Sequence, residues 1–142
     1  MDSYATIASL ADRVRSAAAD RAPLRIRGGS SKDFYGQALT GELLDTAALA
    51  GVTSYEPSEL VVTAGAGTPL VELETLLAAH GQCLPFEPPH FGGNATVGGM
   101  VASGLSGPAR ASAGAVRDYV LGLQLINGKG EPLTFGGQVM KN

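Results

Sequence analysis

The chain has 142 residues, 44% hydrophobic and 16% charged, with a net charge of −3. That is enough for one ordinary domain with a buried core, too apolar for a disordered chain, and too acidic for an electrostatic case for nucleic acid. Its single cysteine excludes an internal disulfide and a cysteine zinc cluster, and with no apolar run of membrane-spanning length and no basic leader the expected location is the cytoplasm.

Asp2 or Ser3 can cap an opening helix in which Ile7, Leu10, Ala11, Val14, Ala17 and Ala18 share one face. It stops before Pro23, because the residue preceding a proline is pushed out of the helical region. Leu24-Arg25-Ile26-Arg27 alternates apolar and basic, the pattern of a half-buried strand, and runs straight into Gly28-Gly29-Ser30-Ser31-Lys32. A strand ending in a glycine–serine turn points successive N–H groups into a concavity suited to an anion, here flanked by Arg27 and Lys32. The same residues also read as an ordinary turn with a solvated lysine. Leu43-Leu44 and 52–56 are strand candidates, and Pro57-Ser58-Glu59 folds 52–56 back on 60–64 as a hairpin. Gly65-Ala66-Gly67 ends that hairpin. Thr68 as cap and Pro69 at the first helical position open a helix whose buried stripe is Leu70, Leu73, Leu76 and Leu77, closed by Gly81. His80 in its last turn reads as structural.

Residues 82–85 read as a short extended segment, with Cys83 an apolar filler, and 86–94 as a loop fixed by Pro88-Pro89. The run 94–107 is the centre of the chain. Thr96 caps a short helix from Val97 to Ala102 whose small residues let backbone approach something flat or anionic, and a capped N-terminus supplies free N–H groups. A tightly packed helix between two loops is the competing reading. Residues 106–114 read as a loop and 119–126 as a strand; 127–130 turn the chain, and 132–135 return it. Arg117-Asp118 reads as a local ion pair or cap. The last stretch, 136–142, breaks off without a capped helix or a completed sheet, which is expected of a fragment of a longer polypeptide.

Several chemistries can be set aside. There is no Walker motif; Gly65-Ala66-Gly67 lacks the third glycine of a dinucleotide fingerprint, since Leu70 stands in its place. Neither histidine has metal-ligand spacing, and no nucleophile elbow is present. An elongated phosphate-bearing cofactor, held at two small-residue loops outside a Rossmann frame, is what remains.

At this point the residues resemble a known family. Arg27-Gly28-Gly29-Ser30-Ser31-Lys32 resembles the pyrophosphate loop of the vanillyl-alcohol-oxidase or PCMH-type FAD-binding domain, and 95–103 followed by 114–122 resembles its second FAD-contacting region. More narrowly, Glu87-Pro88-Pro89-His90-Phe91-Gly92, Gly107-Pro108-Ala109-Arg110 and 135–142 are similar to the FAD-binding E subunits of bacterial glycolate oxidases. The resemblance runs over nearly the whole chain. It implies an α+β fold of two subdomains with FAD between them, the first spanning about 1–56 or a little beyond, the second beginning at about 57 and incomplete at 142. It implies non-covalent FAD, contacted by Arg27, Gly28, Gly29, Ser30, Ser31, Lys32, Pro89, Thr96, Gly98, Gly99, Ser103 and Ser106, with no metal and no identified catalytic residue. His90, the nearby candidate for a base, is read as loop-stabilising because no carboxylate or hydroxyl stands beside it in the sequence. The implied reaction is oxidation of glycolate to glyoxylate within a complex that holds a related FAD subunit and an iron–sulfur subunit, through which any peripheral membrane association would come. The fragment alone is expected to be inactive. A non-catalytic subunit using the FAD fold for docking or electron relay is the alternative.

Overall fold

The computed structural model describes residues 3–138. Helix α1 (Ser3–Asp20) buries Leu10, Ala11 and Ala17, half-buries Ile7 and Val14, and leaves Ala18 exposed. The caps expected at Asp2 and Ser3 fall beyond or at the edge of the described residues. Strands β1 (Leu24–Arg27) and β2 (Glu42–Asp45) pair in parallel, from Leu24 opposite Glu42 to Arg27 opposite Asp45. Arg13 of α1 holds the helix to this pair, donating to the Glu42 carboxylate at 2.5 Å and the Leu43 carbonyl at 2.6 Å.

The alternation in β1 runs opposite to what an apolar core would dictate. Ile26 is 73% exposed, whereas Arg25 and Arg27 are half-buried. The reason is ionic: Arg25 meets Asp33 at 2.6 Å and Arg27 meets Asp45 at 2.7 Å, so the basic face turns inward to acids supplied later in the chain.

Strands β3 (Val52–Glu56) and β4 (Val61–Ala64) form the expected antiparallel hairpin around a 3₁₀ turn at Pro57–Glu59. Helix α2 (Leu70–Ala78) buries Leu70, Leu73 and Leu77, while Leu76 is half-buried; Phe86, Ala95, Met100 and Val116 complete the core around them. Thr68 does not cap α2. It is buried, and its Oγ1 accepts from Gly51 N at 2.9 Å and donates to Gly51 O at 3.1 Å, stitching the end of the β3–β4 unit to the start of the helix. Residues 82–85 form no strand, and Cys83 is exposed rather than an apolar filler.

Helix α3 (Val97–Ser103) stands as expected, with Thr96 as cap and Gly104 in the left-handed region at its end. The expected loop at 106–114 contains a further short helix, α4 (Arg110–Ala113); the Glu87 carboxylate accepts from Ala109 N at 2.9 Å at its start, a partner too distant in sequence for local patterning to reveal. Asp118 serves in both expected ways, accepting from Ala115 N at 2.8 Å and lying 3.8 Å from Arg117. Strands β5 (Gly122–Ile126) and β6 (Pro132–Gly136) close the described fold as an antiparallel hairpin, whose turn is tied to α1 by Arg15 donating to Gly130 O at 2.9 Å. The architecture is α+β, with three two-stranded sheets among the described residues. Residues 139–142, part of the 135–142 stretch that carried the sequence resemblance, lie outside them.

Candidate functional site

The two small-residue loops meet. A Cβ on Gly28 would stand 2.7 Å from Thr96 Oγ1, and one on Gly29 would overlap the Asn94 carbonyl oxygen. Glycine is therefore required at position 29 by the backbone of the second loop, and favoured at position 28 by the Thr96 side chain.

In the first loop Ser30 takes a φ of 60°, a conformation of the kind that gathers successive N–H groups into a concavity. Among the described residues, the backbone N–H groups of Gly29, Ser30, Ser31 and Lys32 donate to no protein acceptor. The two flanking cations differ. Arg27 is committed to Asp45, and that guanidinium, helped by the Ala47 N–H, holds the Asp45 carboxyl below its ordinary range. Lys32 has no acidic partner among the described residues; burial pushes its ammonium pKa down, and its Nζ lies 5.9 Å from the centre of the Phe91 ring. A positive charge with no counter-charge, next to undonated N–H groups, is suited to an anionic ligand.

Helix α3 behaves differently from the expectation of free N–H groups. Val97 N donates to Thr68 O at 2.9 Å, Gly98 N to Ala66 O at 2.8 Å, Gly99 N to Thr96 Oγ1 at 3.2 Å and Met100 N to Thr96 O at 2.9 Å. The first turn is thus satisfied by the 65–68 turn and by its own cap, leaving no N–H there for an anion. Gly98 is pressed against Ala66, with a would-be Cβ 2.8 Å from both its Cβ and its carbonyl oxygen, whereas Gly99 would meet only Thr96 Oγ1, at 3.2 Å.

The hydroxyls further along are also engaged internally. Ser103 donates to Met100 O at 3.2 Å; Ser106 is buried, donates to Gly104 O at 2.9 Å and accepts from Val116 N at 3.1 Å. Pro89 is half-buried in the 86–94 segment.

That segment holds a pair that the sequence reading missed. His90 Nε2 lies 3.0 Å from Glu74 Oε2, so a carboxylate does stand beside this histidine, supplied by α2 rather than by its chain neighbours. The pair borders an open groove of about 450 Å³ that also includes Cys83, Phe86 and Pro88. Its position against α2 supports the loop-stabilising reading of His90 through a different partner from any visible in sequence.

Comparisons with known proteins agree with this architecture. A family model described as FAD binding domain matches residues 3–136. The chain is 52% identical over 134 residues to glycolate oxidase subunit GlcE of Escherichia coli strain K12, covering 94% of this chain and 38% of that protein. It is 34% identical over 128 residues to a D-lactate dehydrogenase of Archaeoglobus fulgidus, covering 84% of this chain and 27% of that one. The chain thus spans well under half the length of either relative. Among solved structures, 6-hydroxy-D-nicotine oxidase from Arthrobacter nicotinovorans superposes with a TM-score of 0.68 over 92% of this chain and 28% of its own, at 17% identity, a likeness of fold.

Proposed function

We infer the function from the family: this chain belongs to the FAD binding domain family. We propose that it is the FAD-holding part of a flavin-dependent 2-hydroxy-acid oxidoreductase that converts glycolate to glyoxylate, and that it works beside a related FAD subunit and an iron–sulfur subunit. The similarity to GlcE, together with that to a D-lactate dehydrogenase, supports the substrate class. The observation that carries the reading is Lys32, without an acidic partner among the described residues, beside four N–H groups that donate to none of them, in a loop fixed against Asn94 and Thr96. These donors fit a pyrophosphate. Bound FAD supplies the two-electron acceptor for turning an α-hydroxyl into a carbonyl.

The residues of the chain then divide by role. Lys32 and the 29–32 backbone hold the pyrophosphate, and Gly28 and Gly29 let the two loops close on each other. Thr96 fixes the start of α3, so that the open side of Gly99 faces the ligand. Arg27, neutralised by Asp45, shapes the loop rather than charging it. The division into subdomains at about residue 56 or a little beyond belongs to the same proposal, and the β3–β4 hairpin spans that point.

A hydrogen bond to a charged group contributes roughly 1.5–3 kcal/mol, so Lys32→Ala is expected to weaken FAD binding about ten- to a hundredfold. Titration of the full chain with FAD, followed by flavin fluorescence, checks this, and unchanged affinity would move the phosphates elsewhere. FAD is held without a covalent bond, since the first loop offers Ser30 and Ser31 and neither histidine nor cysteine. Acid precipitation of the loaded protein is expected to leave all the yellow colour in the supernatant; colour in the pellet would refute non-covalent binding.

A further inference from the structure

Two phenylalanines on opposite loops meet at the junction just described. Phe34, 68% exposed, follows Lys32 in the first loop, and Phe91, 48% exposed, lies in the 86–94 segment. Their rings are edge to face, 5.1 Å between centres and 82° between planes. Phe91 is held at a φ of 48°, a left-handed conformation that bulky residues rarely adopt and that persists only when its surroundings impose it. The Lys32 ammonium, 5.9 Å from the centre of the Phe91 ring, joins this pair to the anion-suited loop.

We propose that Phe34 and Phe91 form a stacking platform for a flat heteroaromatic ring of the phosphate-bearing ligand whose phosphates Lys32 holds. This rests on the FAD reading above and adds to it two residues that are not among the FAD contacts expected from the sequence. The geometry links the parts. A ligand whose phosphate touches the ammonium on its Phe91 side can lay an attached ring against Phe91, since that ammonium stands 5.9 Å from the ring centre. An exposed ring face gives up its apolar hydration when a second ring covers it, and aromatic rings accept such partners whatever their substituents. Both adenine and isoalloxazine have this chemistry.

The test is titration of the full chain with FAD, comparing wild type with Phe34→Ala and Phe91→Asn. Asparagine tolerates the left-handed backbone of position 91, so the second variant removes the ring and keeps the loop. Stacking losses of this kind correspond to about a tenfold weaker Kd for either variant, with the apo melting temperature unchanged. A parallel titration with ADP identifies the ring: an equal loss for ADP assigns adenine, and an unaffected ADP affinity assigns isoalloxazine. FAD affinity that is unchanged in both variants while Lys32→Ala weakens it overturns the platform and leaves the phosphate site standing. Failure of wild type to bind FAD at all overturns the underlying reading and the platform with it.

Discussion

Gly98 and Gly99 are neighbours in the chain, yet their missing side chains point at different things. A Cβ on Gly98 would come within 2.8 Å of Ala66, whose carbonyl oxygen also accepts the Gly98 N–H. That contact accounts for glycine by packing alone. Gly99 has only Thr96 Oγ1 nearby, at 3.2 Å, and no backbone conformation that forbids a side chain. Leucine at position 98 is therefore expected to lower the melting temperature of the protein without ligand. Leucine at 99 is expected to leave it near wild type, because relief from glycine's helix penalty of about 1 kcal/mol offsets the tight approach to Thr96. If FAD lies against α3, the same Gly99→Leu protein loses the rise in melting temperature that FAD gives wild type, since only a ligand that binds the folded state produces that rise. Melting curves with and without saturating FAD separate the cases. A Gly99→Leu protein that keeps the full rise would place the ligand away from this helix.

At the scale of elements, what the sequence made legible was what neighbouring residues decide. The leucine spacing of α2, the Thr96 cap of α3, the proline turn between β3 and β4 and the asparagine–glycine turn before β6 are written within a few residues of one another, and each stands where local rules put it. What was not legible depends on partners far along the chain. Thr68 looked like a cap because it precedes Pro69, but Gly51 reaches it first. The N-terminus of α3 looked open because nothing nearby in sequence closes it; the carbonyls of Ala66 and Thr68 do, and they arrive only once the 65–68 turn has packed. Arg27 read as a cation beside an anion-suited turn until a parallel register set it opposite Asp45. Of the candidate site, the two small-residue stretches were readable in the sequence, but not that they touch, since the contact of Gly29 with Asn94 joins positions 65 residues apart. The division of labour between Arg27 and Lys32 was not, since it turns on which cation finds an acid.

At the scale of the whole molecule, the candidate site depends on two distant stretches being held together, and they press hardest at Gly29. The loop after β1 is anchored to the sheet by Arg27–Asp45 and by Thr46 N donating to Arg27 O at 2.9 Å, while the segment before α3 is anchored to α2 by Leu70 N donating to Ala95 O at 2.8 Å. Neither side can retreat without breaking a backbone hydrogen bond, so even one methyl at Gly29, which would overlap the Asn94 carbonyl oxygen, must push the stretches apart. Gly29→Ala is accordingly expected to act on the fold first. Overpacking typically costs about 1–3 kcal/mol, which for a chain of this size corresponds to a fall of roughly 3–10 °C in the melting temperature without ligand. FAD affinity is expected to fall with it, because the donors of the first loop no longer face the second. Lys32→Ala gives the opposite pattern, a near-normal melting temperature without ligand and weakened binding. Comparing the two variants by melting curve and FAD titration therefore tests whether the site is preassembled by the protein. A Gly29→Ala protein that melts like wild type and loses only its FAD affinity would mean that the ligand, and not the contact between Gly29 and Asn94, brings the loops together.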